Sequence, residues 1–166
     1  VGVFFIARKI YNILIEIEPK FSSNKFILFG ASLLHDLGHG PLSHTSEAIF
    51  GHDHEYWSRN LVQNYDPITS ILKKFGNDLP NKIGDIFESK ILFSKPIKTL
   101  ISSEIDCDRL DYLLRDSYNT GTNYGLVDLE RIISGLTFSP DGSIAIRPKG
   151  IIAIEHFLVL RNMMYR

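Results

Sequence analysis

No disulfide can close within this chain, because Cys107 is its only cysteine. That excludes a small secreted domain stapled by disulfides and makes a reducing, cytoplasmic setting the expectation. Cys107 itself reads as a small apolar core residue. Charge of one sign is lacking too: 18 Lys and Arg stand against 19 Asp and Glu, a formal net charge of −1. Neither nucleic acid nor an acidic membrane is expected as a partner on that balance, so any anionic ligand has to be met by a local group of cations. Long hydrophobic runs are missing as well. The apolar N-terminal segment is broken by Arg8, Lys9 and Asn12, whereas a spanning helix needs roughly 20 apolar residues. Internal repeats, low-complexity tracts and interdomain linkers are likewise not seen.

What is present is an ordinary globular composition, 44% hydrophobic and 22% charged over 166 residues, enough for one domain with a substantial core. Apolar residues at helical spacing (Val3, Ile6, Ile10, Leu14, Ile17) predict a core helix over 1–17. A breaker cluster around Pro19 follows, with Ser22, Ser23 and Asn24 as candidate caps. A very apolar helix over 26–37 is then expected, closed by Gly38, which would place His35 and Asp36 on its last turn. Shorter helices are predicted over 43–50, 54–64, 67–75, 81–87 and 96–102, and a strong one over 105–118. Asp128 is a plausible N-cap for a helix reaching 136. Ser139-Pro140-Asp141-Gly142 is the best hairpin signal, and 151–166 returns to helix. The predicted class is all-α, with one small hairpin near 137–147.

Of the six histidines, five fall between positions 35 and 54, and packing gives no reason to gather them there. They lie in His35-Asp36-Leu37-Gly38-His39-Gly40-Pro41-Leu42-Ser43-His44 and its continuation His52-Asp53-His54-Glu55. An adjacent His-Asp pair can offer one nitrogen and one oxygen to a cation, a mixture suited to Mn, Fe, Zn or, with more oxygen, Mg. Two ligands bind weakly, so a further carboxylate is required from elsewhere. The predicted 105–118 helix can supply one: on a helical wheel Asp108, Tyr112, Arg115 and Asp116 share a side, flanked by Arg109 and Asp111, with Cys107, Leu110, Leu113 and Leu114 opposite. On a generic helix such a face is merely solvated. His52, in a polar turn, reads as a surface residue and His156 as structural. Tyr56 and Trp57 are expected to anchor their helix in the core. Asp106 reads as a helix cap or as a support for a neighbouring ligand, and Asp111 as an i,i+4 partner of Arg115.

Taken together, the segments 35–44, His54-Glu55, 105–116, Thr120-Gly121, Tyr124-Gly125 and Leu129-Glu130-Arg131-Ile132 resemble the HD-domain metal phosphohydrolases. More narrowly, they are similar to the deoxynucleoside triphosphate triphosphohydrolases, the bacterial enzymes and the vertebrate one that carries a SAM domain. The resemblance implies an all-helical HD fold and one divalent ion held by His35, Asp36 and Asp108 plus an earlier histidine. In the family that histidine precedes a Leu-Gly-Val stretch, of which Val1-Gly2-Val3 looks like the remainder. It is therefore expected just upstream of Val1, with the chain a piece of a longer protein cut at both ends.

The resemblance further implies that His39, His54, Arg109 and Arg161 contact the triphosphate and that Tyr112 and Asp116 read the sugar. It makes His44 the general acid, oriented by Glu47 where the family often has Asp, with His54-Glu55 as a second acid/base pair. The implied substrate is a dNTP, hydrolysed to deoxynucleoside and inorganic triphosphate. Rival expectations are a phosphohydrolase of another nucleotide or phosphoester, and a metal-deficient nucleotide-binding regulatory member. A nucleotide effector and homo-oligomeric assembly are also implied, with no residues of this chain assigned to them.

Overall fold

Ten helices and one two-stranded antiparallel sheet form the described residues, 1–88, 95–123 and 125–164, of this computed structural model. The all-α expectation holds. Helix α1 (Gly2–Ile17) buries Val3, Ile6, Ala7, Ile10, Tyr11 and Leu14, the three-and-four spacing of a single apolar face. It packs against both α2 (Lys25–Leu34) and α8 (Cys107–Thr120), which are the two elements that lead into the site. The breaker cluster becomes a 3₁₀ turn over Pro19–Asn24, and Asn24 precedes α2 without a side-chain cap.

Helix α2 stops at Leu34, three residues short of the expected end. The cause lies in α4 (His54–Asn64). Buried Ser58 donates its hydroxyl to the His35 carbonyl at 2.7 Å and accepts from the Gly38 N–H at 2.8 Å. These bonds draw 35–38 out of the helix and into a turn, where Leu37 N–H reaches Leu34 O and His39 N–H reaches Asp36 O. Gly38 is required at this crossing, since a Cβ there would lie 2.2 Å from the His54 carbonyl oxygen and 2.4 Å from the Ser58 nitrogen.

The short α3 (His44–Phe50) ends on Gly51 in the left-handed conformation (φ 74°), and Asp53 caps α4 by accepting from the Tyr56 N–H. The face that α4 buries is set by Ser58 and Val62, so Trp57 and Tyr56, about 100° and 200° before Ser58 on the wheel, come out exposed. This corrects the expectation that they anchor the core. Helices α5 (Asp66–Lys73) and α6 (Leu79–Phe87) complete the layer over α2 and α4. Helix α7 (Lys95–Ile101) buries Ile97, Leu100 and Ile101 and leads into α8, whose Cys107, Leu110 and Leu113 are buried as the wheel predicts. Asp128 caps α9 (Leu129–Gly135) by accepting from the Arg131 N–H at 3.0 Å. Strands β1 (Leu136–Phe138) and β2 (Ile144–Ile146) pair with Leu136 opposite Ile146, and α10 (Ile151–Met164) follows. Tyr124, together with Tyr165 and Arg166 of the expected C-terminal helix, lies outside the described residues. Among those described, no helix is long and apolar enough to cross a membrane.

Candidate functional site

The turn after α2 and the first turn of α8 meet at His35. Its Nδ1 faces the Ser32 carbonyl at 3.2 Å, which makes Nδ1 the protonated nitrogen and leaves a lone pair on Nε2. That Nε2 is buried with no hydrogen-bond partner among the described residues. It lies 3.3 Å from Asp36 Oδ2 and 3.6 Å from Asp108 Oδ1, and the three potential ligand atoms fall within 4.8 Å of one another. Burial opposes charge on His35, yet the Asp108 and Asp36 carboxylates outweigh it and raise its pKa. An orphaned imidazole nitrogen aimed between two carboxylates fits a divalent cation. His35, Asp36 and Asp108 are the residues that would hold it.

Asp108 is positioned by its neighbour. Asp106 caps α8, accepting from the Arg109 and Ser103 backbone N–H groups at 2.7 and 3.1 Å, and also pairs with Arg109 Nη1 at 2.8 Å. Burial raises the Asp106 pKa. The guanidinium is thereby tethered at the cleft wall, one residue from Asp108.

A second group stands beside the first. Glu47 Oε1 accepts from His54 Nδ1 at 2.7 Å, from the His54 backbone N–H at 3.2 Å and from His44 Nδ1 at 3.0 Å. These bonds, the His54 ring foremost, hold the Glu47 carboxyl at a pKa of about 2. His39 stacks nearly parallel on His54 with ring centres 4.0 Å apart and meets His44 edge-on at 5.0 Å. Burial, then the nearby His54, lowers the His39 pKa, with Asp36 opposing. His39, His44 and His54 line one cleft of about 340 Å³ together with His35, Asp36 and Asp108, and the cleft also receives Glu55, Asp106, Arg109 and Tyr112.

Not every expected partner is where the sequence suggested. Glu55 shares the cleft but points to Ser102 Oγ (3.3 Å) and Lys98 Nζ (3.9 Å), and the partner of His54 is Glu47. Arg161 forms an ion pair with Glu104, which lowers the Glu104 pKa. Asp116 is exposed one turn beyond Tyr112 and outside the cleft lining. His52 is exposed and stacks on Tyr56 at 3.9 Å. Asp111 does pair with Arg115. Sequence reasoning missed Ser58. Its signal is a polar residue one turn before Val62, where the helical period asks for an apolar side chain.

A helical domain that sets a His-Asp pair and a remote aspartate around one bare imidazole nitrogen defines a class of metal-site protein. A family model, the HD domain, matches residues 1–116, and the chain belongs to that family. The uncharacterized protein YwfO of Bacillus subtilis is 36% identical over 165 residues, spanning 99% of this chain and 38% of YwfO. An uncharacterized protein of Methanocaldococcus jannaschii is 40% identical over 167 residues, spanning 99% of this chain and 33% of its own. The chain thus covers well under half the length of these relatives. Among solved structures, a phosphohydrolase of Bacteroides thetaiotaomicron superposes with TM-score 0.78 at 33% identity, over 99% of this chain and 40% of that one. A hypothetical protein of Aquifex aeolicus gives 0.81 at 30% identity, over 99% and 44%.

Proposed function

We propose that the protein is a metal-dependent phosphohydrolase that cleaves dNTPs to deoxynucleoside and inorganic triphosphate. The observation that carries the reading is the bare His35 Nε2 between Asp36 and Asp108, opening on the same cleft as His39, His44, His54 and Arg109. Several imidazoles and a tethered guanidinium in one cleft suit a longer anion.

In this reading His35, Asp36 and Asp108 hold the ion. When bound, it polarises a phosphoryl oxygen and acidifies water. Arg109 offsets charge on the polyphosphate, and its tether to Asp106 fixes its direction before substrate arrives. His39 and His54 donate N–H groups to phosphate oxygens. His44 Nε2 delivers a proton to the departing 5′ oxygen, while Glu47 holds the opposite ring nitrogen and steadies the imidazolium. Tyr112 borders the cleft one turn along α8, where the sugar would lie, with Asp116 a turn further. Arg161 reaches the far end of the triphosphate once it exchanges Glu104 for phosphate.

The test is a panel of the four dNTPs and their ribo counterparts with Mg or Mn, following the first product released. Inorganic triphosphate from the deoxy series is the expected result. Orthophosphate or nucleoside monophosphate as the first product would replace this substrate with another nucleotide or phosphoester in the same site.

A further inference from the structure

The imidazole cluster has a property that phosphate contact and proton donation do not require. His39, His44, Glu47 and His54 each place one potential ligand atom within 4.8 Å of the other three. They come from three separate segments: the turn after α2, the α3 helix and the first turn of α4. We propose that these four residues form a second metal site, with three nitrogens and one oxygen, that takes zinc or a similar borderline cation and competes with the nucleotide for the cleft.

Three features support it. Glu47 Oε1 is already the common neighbour of His44 Nδ1 (3.0 Å) and His54 Nδ1 (2.7 Å). If each Nδ1 proton moves to Nε2, the two rings present lone pairs toward that oxygen, and no net charge is transferred. His39 Nδ1 is buried without a hydrogen-bond partner among the described residues, so it has nothing to give up on ligation. The spacing is also close to what is needed. Ligand atoms about 2.0–2.1 Å from a tetrahedral zinc lie roughly 3.3 Å apart, so ligation widens the 2.7 and 3.0 Å contacts slightly and turns the His39 ring out of its stack on His54.

Ligand chemistry separates the two sites. His35, Asp36 and Asp108 offer one nitrogen and two carboxylates, a set that suits Mg or Mn. Three imidazoles and one carboxylate suit Zn, Co, Ni or Cu. Occupation of the second site would engage His39, His44 and His54 together. This competition rests on the functional reading above; the metal site itself does not.

Cobalt chloride, titrated into the nucleotide-free protein and followed by visible absorption and calorimetry, tests it. The expected result is two binding events per chain, one with the intense absorption of tetrahedral Co(II). That band should disappear in His44→Ala and in His54→Ala, persist in Asp108→Ala, and be displaced by zinc chloride. Circular dichroism of each variant separates a lost ligand from a lost fold, and Glu47→Gln, which keeps the side-chain shape, should weaken the event at least tenfold. A single event abolished by Asp108→Ala, or a band unaffected by His44→Ala and His54→Ala in folded protein, overturns the proposal. A protein that releases triphosphate but shows no such band would lose the second site and keep its function. A band without triphosphate release would support the site and remove only the hydrolytic reading.

Discussion

Ser58 and His35, 23 positions apart, are joined by a 2.7 Å hydrogen bond from the Ser58 hydroxyl to the His35 carbonyl, and the Ser58 hydroxyl oxygen in turn accepts from the Gly38 N–H. One buried side chain therefore fixes both ends of the turn that carries the His-Asp pair. Ser58→Ala would leave a carbonyl and an N–H without partners, at a cost of about 1–3 kcal/mol. The expected outcome is a lower unfolding midpoint together with weaker metal binding, read by denaturant titration and calorimetry on the same variant.

Gly38 tests the same crossing from the other side. A Cβ there meets the backbone of α4 at 2.2 and 2.4 Å, atoms that cannot rotate away as a flexible side chain would. Gly38→Ala should destabilise by about 1–3 kcal/mol through overpacking and push the His35 turn off α4. Gly51→Ala has open space around its Cβ and pays only for its left-handed φ of 74°. It should perturb metal binding far less, and a reversed order in calorimetry would count against this account of the turn.

Asp108→Ala should abolish metal binding at the His35 site and hydrolysis while leaving far-ultraviolet circular dichroism nearly unchanged. The reason is that Leu110 and Leu113, which hold α8 to the core, face away from Asp108. Retained turnover would remove Asp108 from the ligand set.

Glu47 gives a pH prediction. Its carboxyl is held at about 2 against an ordinary 4.5, so the ionised group favours the folded state. That contribution is complete above about pH 4.5 and fades as the pH falls toward 2. Acid unfolding of Glu47→Gln should therefore differ from the parent at pH 6, with the parent more stable, and converge with it near pH 2. At neutral pH the variant should also lose about tenfold or more in kcat for the proposed hydrolysis, because a neutral amide oxygen accepts from the two imidazoles more weakly than a carboxylate and does not steady an imidazolium.

Periodicity made most of the helices legible before any coordinates. The buried set of α1 and the apolar stripe of α8 follow directly from three-and-four spacing. The wheel also placed Asp108 and Tyr112 on one side, and both reach the cleft. Contacts between segments were less legible. The i,i+3 spacing of His44 and Glu47 suggests their hydrogen bond, but nothing in the sequence says that His54, seven positions on and across the Gly51 turn, shares the same oxygen. The early end of α2 had the same origin, since a tertiary bond from Ser58 overrode a local preference for helix. Trp57 misled because size and apolarity suggest a core residue, while the phase of α4 is set by Ser58 and Val62.

Asp108, Arg109 and Tyr112 ride on a single helix, with Asp106 capping its end. At 1.5 Å of rise per residue, Asp108 and Tyr112 are separated by about 6 Å along the axis. No loop contributes to that interval. Insertions and sequence drift in the connecting segments can tilt or translate α8 against α1, but they cannot stretch it. The helix therefore works as a fixed ruler laid along the cleft, and changes elsewhere can alter where the ruler lies without changing its scale.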